Sequence, residues 1–338
     1  MLTYIIVFAA ALFISYILTP AVKKLAFKVG AVDRPDARKV HDHLIPRLGG
    51  LAIYLGMVGA VLLLMDLTRE IIGLLLGCTA IVIVGIWDDI CQIPAKVKLA
   101  GQITAALVLV AFGIQIDWLT NPFDGILYLD WYISIPLTVF WIIGFTNTVN
   151  LIDGLDGLAA GVSIIASISV FLMAIHMHQT DSAMITLALA GAAFGFLQYN
   201  FNPAKIFMGD TGSMLLGYTL AAVSIMGVVK TAATIALVVP VIALGLPILD
   251  TVFAIVRRKM SGVPIFQPDK GHLHHRLLAM GMSQKQAVLA MYCISVFLGA
   301  VALLVASVNY QVGTVVVLAV LAAGIYMARK LGILTVKK

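Results

Sequence analysis

The chain has 338 residues, 62% of them hydrophobic and 11% charged, with a formal net charge of +6 and a mean hydropathy of +1.06. A water-soluble domain of this size cannot hide so much apolar surface, which leaves a polytopic membrane protein. No soluble basic domain exists to carry the positive charge, so it is not a nucleic-acid signal and reads instead as a topology signal.

Each span needs roughly 20 apolar residues to cross the hydrocarbon. Backbone groups in lipid must bond internally, and the apolar runs are too long and unbroken for barrel strands, so an all-α fold is expected. In chain order, about eleven spans are predicted at 2–22, 48–65, 71–87, 99–116, 132–149, 158–177, 183–200, 213–229, 232–256, 286–307 and 311–328. No basic residue precedes the first run, and Lys23 and Lys24 follow it. That is the pattern of a first transmembrane helix with its amino end outside, not of a cleaved signal. The connection from Gln115 to Trp131 is the longest of the outer ones and otherwise plain, with Trp118 and Trp131 suited to an interfacial belt. Pro240 and Pro247 predict a bend in the ninth span. Cys78, Cys91 and Cys293 have neither disulfide nor metal-site spacing. No repeat, low-complexity tract or linker divides the chain, so residues 1–338 are expected to form one domain.

Of the 22 basic residues, all but Arg69 and Lys230 fall in connections after odd-numbered spans or in the tail. The positive-inside rule then places those connections and the carboxyl terminus in the cytoplasm of a multi-pass plasma-membrane protein. The polar constellations gather on that same side, forming a cytoplasm-facing cleft, although nothing in the hydrophobicity pattern forces the agreement.

Asp88 and Asp89 end the third span. Adjacent carboxylates repel, so they call for a cation, and they could bind metal, act as a base or cap a helix. Lys96 and Lys98 follow and could neutralise the pair, grip phosphate or anchor the span. The next stretch, 147–157, carries Asn147, Asn150, Asp153 and Asp156 three apart. On a continuous helix of about 3.6 residues per turn these would drift by about 60° a step and could not share a ligand. Gly154 and Gly157 let the chain turn, so the two asparagines finish one helix while the two aspartates lie on the turn, Asp156 as N-cap of the sixth span. A third stretch runs from Asn200 through Lys205 and Phe207 to Asp210 and Ser213, with Gly209 and Gly212 around the aspartate; Asp210 or Thr211 would cap the eighth span. Lys205 is a point charge suited to phosphate. The second, sixth and eighth spans each begin at this face after glycine-rich turns, and helix amino ends attract anions. His272, His274 and His275 lie in the longest cytoplasmic connection. With no cysteine nearby and oxygen donors around them, phosphate or sugar contact is expected rather than zinc. Asp250 is a weaker candidate, His176 and His178 read as interfacial bystanders, and His41 and His43 have no assigned part.

Taken together, Asp88–Asp89 with Lys96, the run Asn147 to Gly157, Asn200 with Pro203 through Ser213, and His272 to His275 resemble the polyprenyl-phosphate N-acetylhexosamine-1-phosphate transferases. That membrane family includes phospho-MurNAc-pentapeptide transferase and the eukaryotic dolichyl-phosphate enzyme. The resemblance covers nearly the whole chain. It implies transfer of a sugar 1-phosphate from a UDP-sugar to a polyprenyl phosphate, with release of UMP and with Mg²⁺, Mn²⁺ being the alternative. By motif matching it implies Asn150 and Asp210 as metal ligands, Asp88 as the group activating the lipid phosphate and Asp89 beside it. Asn147, Leu151, Asp153, Gly154, Asp156 and Phe207 become the nucleotide pocket, and Lys96, Asn200, His272, His274 and His275 the diphosphate and sugar contacts. The pentapeptide transferases carry three consecutive histidines, whereas this chain has His-Leu-His-His-Arg. That departure points to the branch using UDP-N-acetylglucosamine and undecaprenyl phosphate, as in teichoic-acid or O-antigen initiation; the pentapeptide branch is the alternative. Expected partners are these two substrates and membrane lipid, with a homodimer compatible and nucleic acid excluded. A secondary transporter is the rival from another class, but it would want polar groups near the bilayer midplane and on both faces.

Overall fold

The computed structural model describes residues 1–33, 44–120, 126–230, 235–262, 271–308, 310–330 and 332–333. His41, His43 and much of the basic charge of the first connection lie outside the described residues. The rest forms helices α1 (Leu2–Val29), α2 (Gly50–Leu64), α3 (Arg69–Cys91), α4 (Ala95–Ala111), α5 (Trp131–Ile152), α6 (Leu158–His176), α7 (Thr180–Asn200) and α8 (Gly209–Lys230). They continue as α9 (Ile235–Ala243), α10 (Gly245–Met260), α11 (Leu273–Ala279), α12 (Gln284–Ser307) and α13 (Tyr310–Lys330).

Among the described residues each segment expected to span is mainly helical, and the chain is an all-α polytopic membrane protein. Of the described helices, seven are by length and composition able to cross a bilayer, or eight if α9 and α10 form one broken span. α2 has 15 residues and α4 has 17, short of the roughly 20 that a perpendicular crossing needs. The ninth expected span is two helices bent by 76°. Pro247 falls in the first turn of α10, where it is tolerated, and it has no N–H to return to the Ala243 carbonyl.

Burial separates centre from rim. Of the most apolar window in α7, 78% is buried inside the protein, against 11% in α13, whose surface is left for lipid. α8 packs between α3 and α5, and α7 lies against α1 and α6. Several large polar side chains inside the bundle are satisfied internally, as a bilayer favours. The Tyr218 hydroxyl donates to the Ala105 carbonyl at 2.8 Å and Trp141 Nε1 to Ser224 Oγ at 2.9 Å.

Two ribbons stand in connections, one in the outer connection expected to be plain and one in the basic first connection. β3 (Trp118–Thr120) pairs antiparallel with β4 (Ile126–Tyr128), Trp118 opposite Tyr128. β1 (Val32–Asp33) pairs antiparallel with β2 (Ile45–Pro46), Val32 opposite Pro46. The chain leaving β2 then lies along residues 207–208. Phe207 N–H donates to the Pro46 carbonyl at 2.8 Å, Gly49 N–H to the Phe207 carbonyl at 3.0 Å, and Gly50 N–H to the Met208 carbonyl at 2.8 Å. This lamination delivers Arg47 to the amino end of α8.

Candidate active site

α3 begins at Thr68, whose hydroxyl accepts from Ile71 N–H at 3.4 Å, and carries Asp88 and Asp89 in its last turn. Both residues are buried, and neighbouring buried carboxylates need compensation. Each has its own cation. Arg47 donates to Asp89 Oδ1 from Nε at 3.2 Å and Nη2 at 3.1 Å. Lys98 Nζ lies 3.4 Å from Asp88 Oδ2 and also contacts the Asp210 carboxylate.

Asp89 does more than pair with arginine. Its Oδ1 accepts the Asp210 N–H at 2.9 Å, and its Oδ2 accepts the Thr211 N–H at 3.0 Å and the Thr211 hydroxyl at 2.6 Å. The first-turn donors of α8 are therefore satisfied by a carboxylate from α3, not by Asp210 or Thr211 as the sequence suggested. That releases the Asp210 side chain from capping and leaves it to face Lys98 and Arg47. Gly209 makes the approach possible: its φ is +71°, and a Cβ there would collide with the Asp89 carboxylate.

The charges around this corner do not balance. Arg47 also reaches Asp210 at 3.9 Å and Asp33 at 4.0 Å. Two basic side chains thus stand among the carboxylates of Asp33, Asp88, Asp89 and Asp210. Asn150, on the last turn of α5, donates from Nδ2 to Ser213 Oγ at 2.8 Å, which ties its amide to the amino-terminal part of α8, the helix that carries Asp210. Ionised, the cluster is short of positive charge, and its open donors are hard oxygens. That set fits a magnesium-like cation whose shell phosphate oxygens would complete. Among the described residues no three His, Cys, Asp or Glu side chains make a metal set by themselves.

The 147–157 run divides as its glycines predict. Asn147 and Asn150 lie in α5, which ends at Ile152, and α6 begins at Leu158. The cap of α6, however, is Gly157 with φ +78°, not Asp156. Asp156 Oδ2 accepts Asn202 Nδ2 and the Ala204 N–H, both at 3.0 Å, clasping this turn to the loop after α7. Asn202 continues the clasp to Gln284 of α12 at 2.9 Å. Asn147 exchanges amide hydrogen bonds with Gln102 of α4 at 2.8 and 3.3 Å, so it braces α5. Asn200 is buried with both ends of its amide used, accepting from Gly157 N–H and donating to the Ile206 carbonyl, each at 3.0 Å. Asp153 caps α5. Burial pushes its carboxyl from 3.8 up to about 7, with the Asp89 charge adding, Arg47 opposing and Asp156 adding a little.

The histidines approach the same turn from the other side. His272 Nδ1 lies 2.9 Å from Asp250 Oδ2, and Asp250 Oδ1 accepts the Leu273 N–H at 2.9 Å. His272 stacks on His274 with centroids 5.7 Å apart and planes 8° apart, and His275 follows at 4.2 Å from His274. A Cβ on Gly154 would meet His274 Nε2 at 2.7 Å, so glycine is what lets this ring settle on the turn. Burial, with His275 next, lowers His274 from 6.5 to about 3 and keeps it neutral. Among the described residues its Nδ1 is buried with no hydrogen-bond partner.

The structure thus brings Asp88, Asp89, Asn150, Asp153, Asp156, Phe207 and Asp210 to one end of the bundle, with Gly154 joining His274 to it. Leu151 is exposed and Phe207 half-buried. Lys96 is exposed, while Lys98 faces the carboxylates. Arg47 was legible only as a topology charge, and its place next to Pro46-Arg-Leu-Gly-Gly, before the second span, was the one available hint. A small, mainly apolar recess of about 20 Å³ lined by Met173, Met177, Val223 and Val239 lies at the opposite end of the bundle, away from this chemistry.

The model of glycosyl transferase family 4 matches residues 71–228, from early α3 through nearly all of α8. A Bacillus subtilis protein named "Probable undecaprenyl-phosphate N-acetylglucosaminyl 1-phosphate transferase" is 44% identical over 295 residues, covering 87% of this chain and 82% of its own. The Mycobacterium tuberculosis "Decaprenyl-phosphate N-acetylglucosaminephosphotransferase" is 42% identical, covering 83% of this chain and 77% of its own. The Escherichia coli "Undecaprenyl-phosphate alpha-N-acetylglucosaminyl 1-phosphate transferase" is 28% identical, covering 78% and 74%.

Proposed function

The chain belongs to glycosyl transferase family 4, with the membrane-bound polyprenyl-phosphate N-acetylglucosaminyl 1-phosphate transferases, and from that premise we propose its reaction in full. It takes N-acetylglucosamine 1-phosphate from UDP-N-acetylglucosamine to undecaprenyl phosphate and releases UMP, the first membrane step of a cell-wall polymer such as teichoic acid. The observation that carries this reading is that Lys98 bridges Asp88 and Asp210 while Asn150 is bonded to Ser213 in the amino-terminal part of the same helix as Asp210, in a cluster short of positive charge. The eleven-span topology belongs to the same proposal. It sets this end of the bundle in the cytoplasm, where a nucleotide sugar is available.

A phosphate oxygen of the lipid attacks the phosphorus bearing the sugar. That P–O bond forms, the bond to the UMP oxygen breaks, and UMP leaves with the electron pair. The nucleophile is already an anion, so the barrier lies in bringing two anions together. Arg47 and Lys98 lower that repulsion, and Lys98 can turn from Asp88 and Asp210 towards phosphate. Asp210 and Asn150 would hold Mg²⁺, which supplies charge neutralisation at the diphosphate when bound. Asp88, paired with Lys98, orients the lipid phosphate in this reading. Asp89 has both oxygens engaged, which favours direct displacement over a phosphorylated aspartate at that position. The uridine is held near Asp153 and Gly154. Purified protein should release UMP from UDP-N-acetylglucosamine only with added undecaprenyl phosphate and Mg²⁺. Turnover of UDP-MurNAc-pentapeptide instead would move the chain to the pentapeptide branch, and release without any lipid acceptor would overturn the reading.

A further inference from the structure

Asp250 takes no part in the reaction just described, yet it is the most completely used carboxylate outside the α3–α8 corner. It is buried, and it comes from α10, just after the 76° bend. One oxygen accepts the Leu273 N–H and so satisfies a first-turn donor of α11, which has no side-chain cap of its own. The other oxygen meets His272 Nδ1 at 2.9 Å. An ionised carboxylate only accepts, so the proton lies on Nδ1 and the opposite ring nitrogen, Nε2, is the one left to face a ligand. His272 in turn stacks flat on His274, whose ring rests where Gly154 has no side chain. These contacts run without a gap from Asp250 to the turn that carries Asp153 and Asp156.

We propose that Asp250 is the positioning residue of the histidine corner: it seats α11, fixes the His272 tautomer with Nε2 outward, and through the stacked rings sets the shape of the Gly154 side of the site. The inference rests on the reading above that this side receives the nucleotide sugar. With Asp250 behind the ring and a phosphate in front of it, His272 can hold protons on both nitrogens and donate to the anion. Carboxylates behind ligand-contacting histidines act through orientation, and their removal commonly costs 10-fold or more.

Asp250→Asn, His272→Ala and the double variant separate this from a purely structural role, because asparagine keeps an acceptor for the Leu273 N–H. Steady-state kinetics should show KM for UDP-N-acetylglucosamine raised roughly 10-fold in each single variant, with KM for undecaprenyl phosphate changed by less than about twofold. The double variant should be no worse than His272→Ala alone, since one residue acts through the other. Losses that multiply in the double variant overturn the proposal. So does an equal loss for both substrates in Asp250→Asn accompanied by a lower melting temperature. A substrate-free readout keeps it distinct from the proposed reaction. In ¹⁵N-histidine-labelled protein, the resonance lost in His272→Ala should show a protonated Nδ1 that changes in Asp250→Asn. If the wild type fails to use UDP-N-acetylglucosamine, the functional reading falls and this signature alone decides Asp250. An unprotonated Nδ1, or a signal indifferent to Asp250→Asn, overturns the proposal in either case.

Discussion

The carboxylate corner at α3 and α8 and the histidine corner at α10 and α11 face the same turn but are built in opposite ways. At the first, Asp89 alone receives donors from Arg47, Asp210 and Thr211, and Lys98 links Asp88 with Asp210. Four separate chain segments are fastened there by charge. At the second, one carboxylate, Asp250, supplies the links to His272 and Leu273, and the buried His274 Nδ1 has no partner among the described residues. The contrast follows from what each corner handles. Fixed charge must be held against its own repulsion whether or not a ligand is present. Neutral imidazoles need little holding and can answer to a ligand that arrives.

Breaking the charge balance should therefore cost most in turnover. Lys98→Ala leaves Asp88 and Asp210 to repel across the space it filled, and turnover should fall roughly 100-fold. Lys96→Ala should lose less than about threefold, because that side chain points into solvent. Equal effects in a UMP-release assay would mean that Lys98 only balances charge in the substrate-free protein. Asp89→Ala strands Arg47, two α8 amides and the Thr211 hydroxyl, a loss of about 3–5 kcal/mol. A thermal scan in detergent should show it as the largest drop in melting temperature among these variants, and an unchanged midpoint would refute the capping role.

The linking turn should show smaller effects. Asp156→Ala opens the clasp to Asn202 and Ala204, so KM for the nucleotide sugar should rise about 10-fold with KM for the lipid little changed. Parallel losses for both would count against a donor-side place for this turn. Smallest is the effect of Asp153→Asn. The folded chain holds a proton on Asp153 up to about pH 7, whereas its ordinary value is 3.8. The folded state thus binds more protons than the unfolded between those values, and its stability falls as pH rises through that window. Asparagine cannot ionise, so the variant should melt a few degrees above the wild type at pH 8 and close to it near pH 4. The opposite trend would show that Asp153 is stabilised as an anion.

Much of this was legible in the sequence because hydrophobic length is a one-dimensional signal. The helices, the break foretold by Pro240 and Pro247, and the turn at Gly154–Gly157 all express local rules. Hydrophobic length says less about α2 and α4, which at 15 and 17 residues depend on their neighbours to count as crossings. Contacts between distant segments left no trace. Arg47 and Asp89 are 42 residues apart and Asp89 and Thr211 are 122 apart, and nothing local to Asp210 says that its helix is capped from α3. The three-residue spacing of Asn147, Asn150, Asp153 and Asp156 marked the right stretch, but it could not distinguish Asn147 and Asp156, which brace helices, from Asn150, which meets the amino-terminal part of α8. Asp250 looked weak because its partner His272 lies across an intervening loop.

The central claim is that oxygens from α3, α5 and α8 surround one divalent cation together with a diphosphate. Mn²⁺ can stand in for Mg²⁺ and be followed by its electron paramagnetic resonance in purified protein with UDP-N-acetylglucosamine. The account predicts a bound Mn²⁺ signal in the wild type that Asp210→Asn abolishes and that Asn150→Ala weakens. A bound signal of the same strength in all three proteins would contradict it.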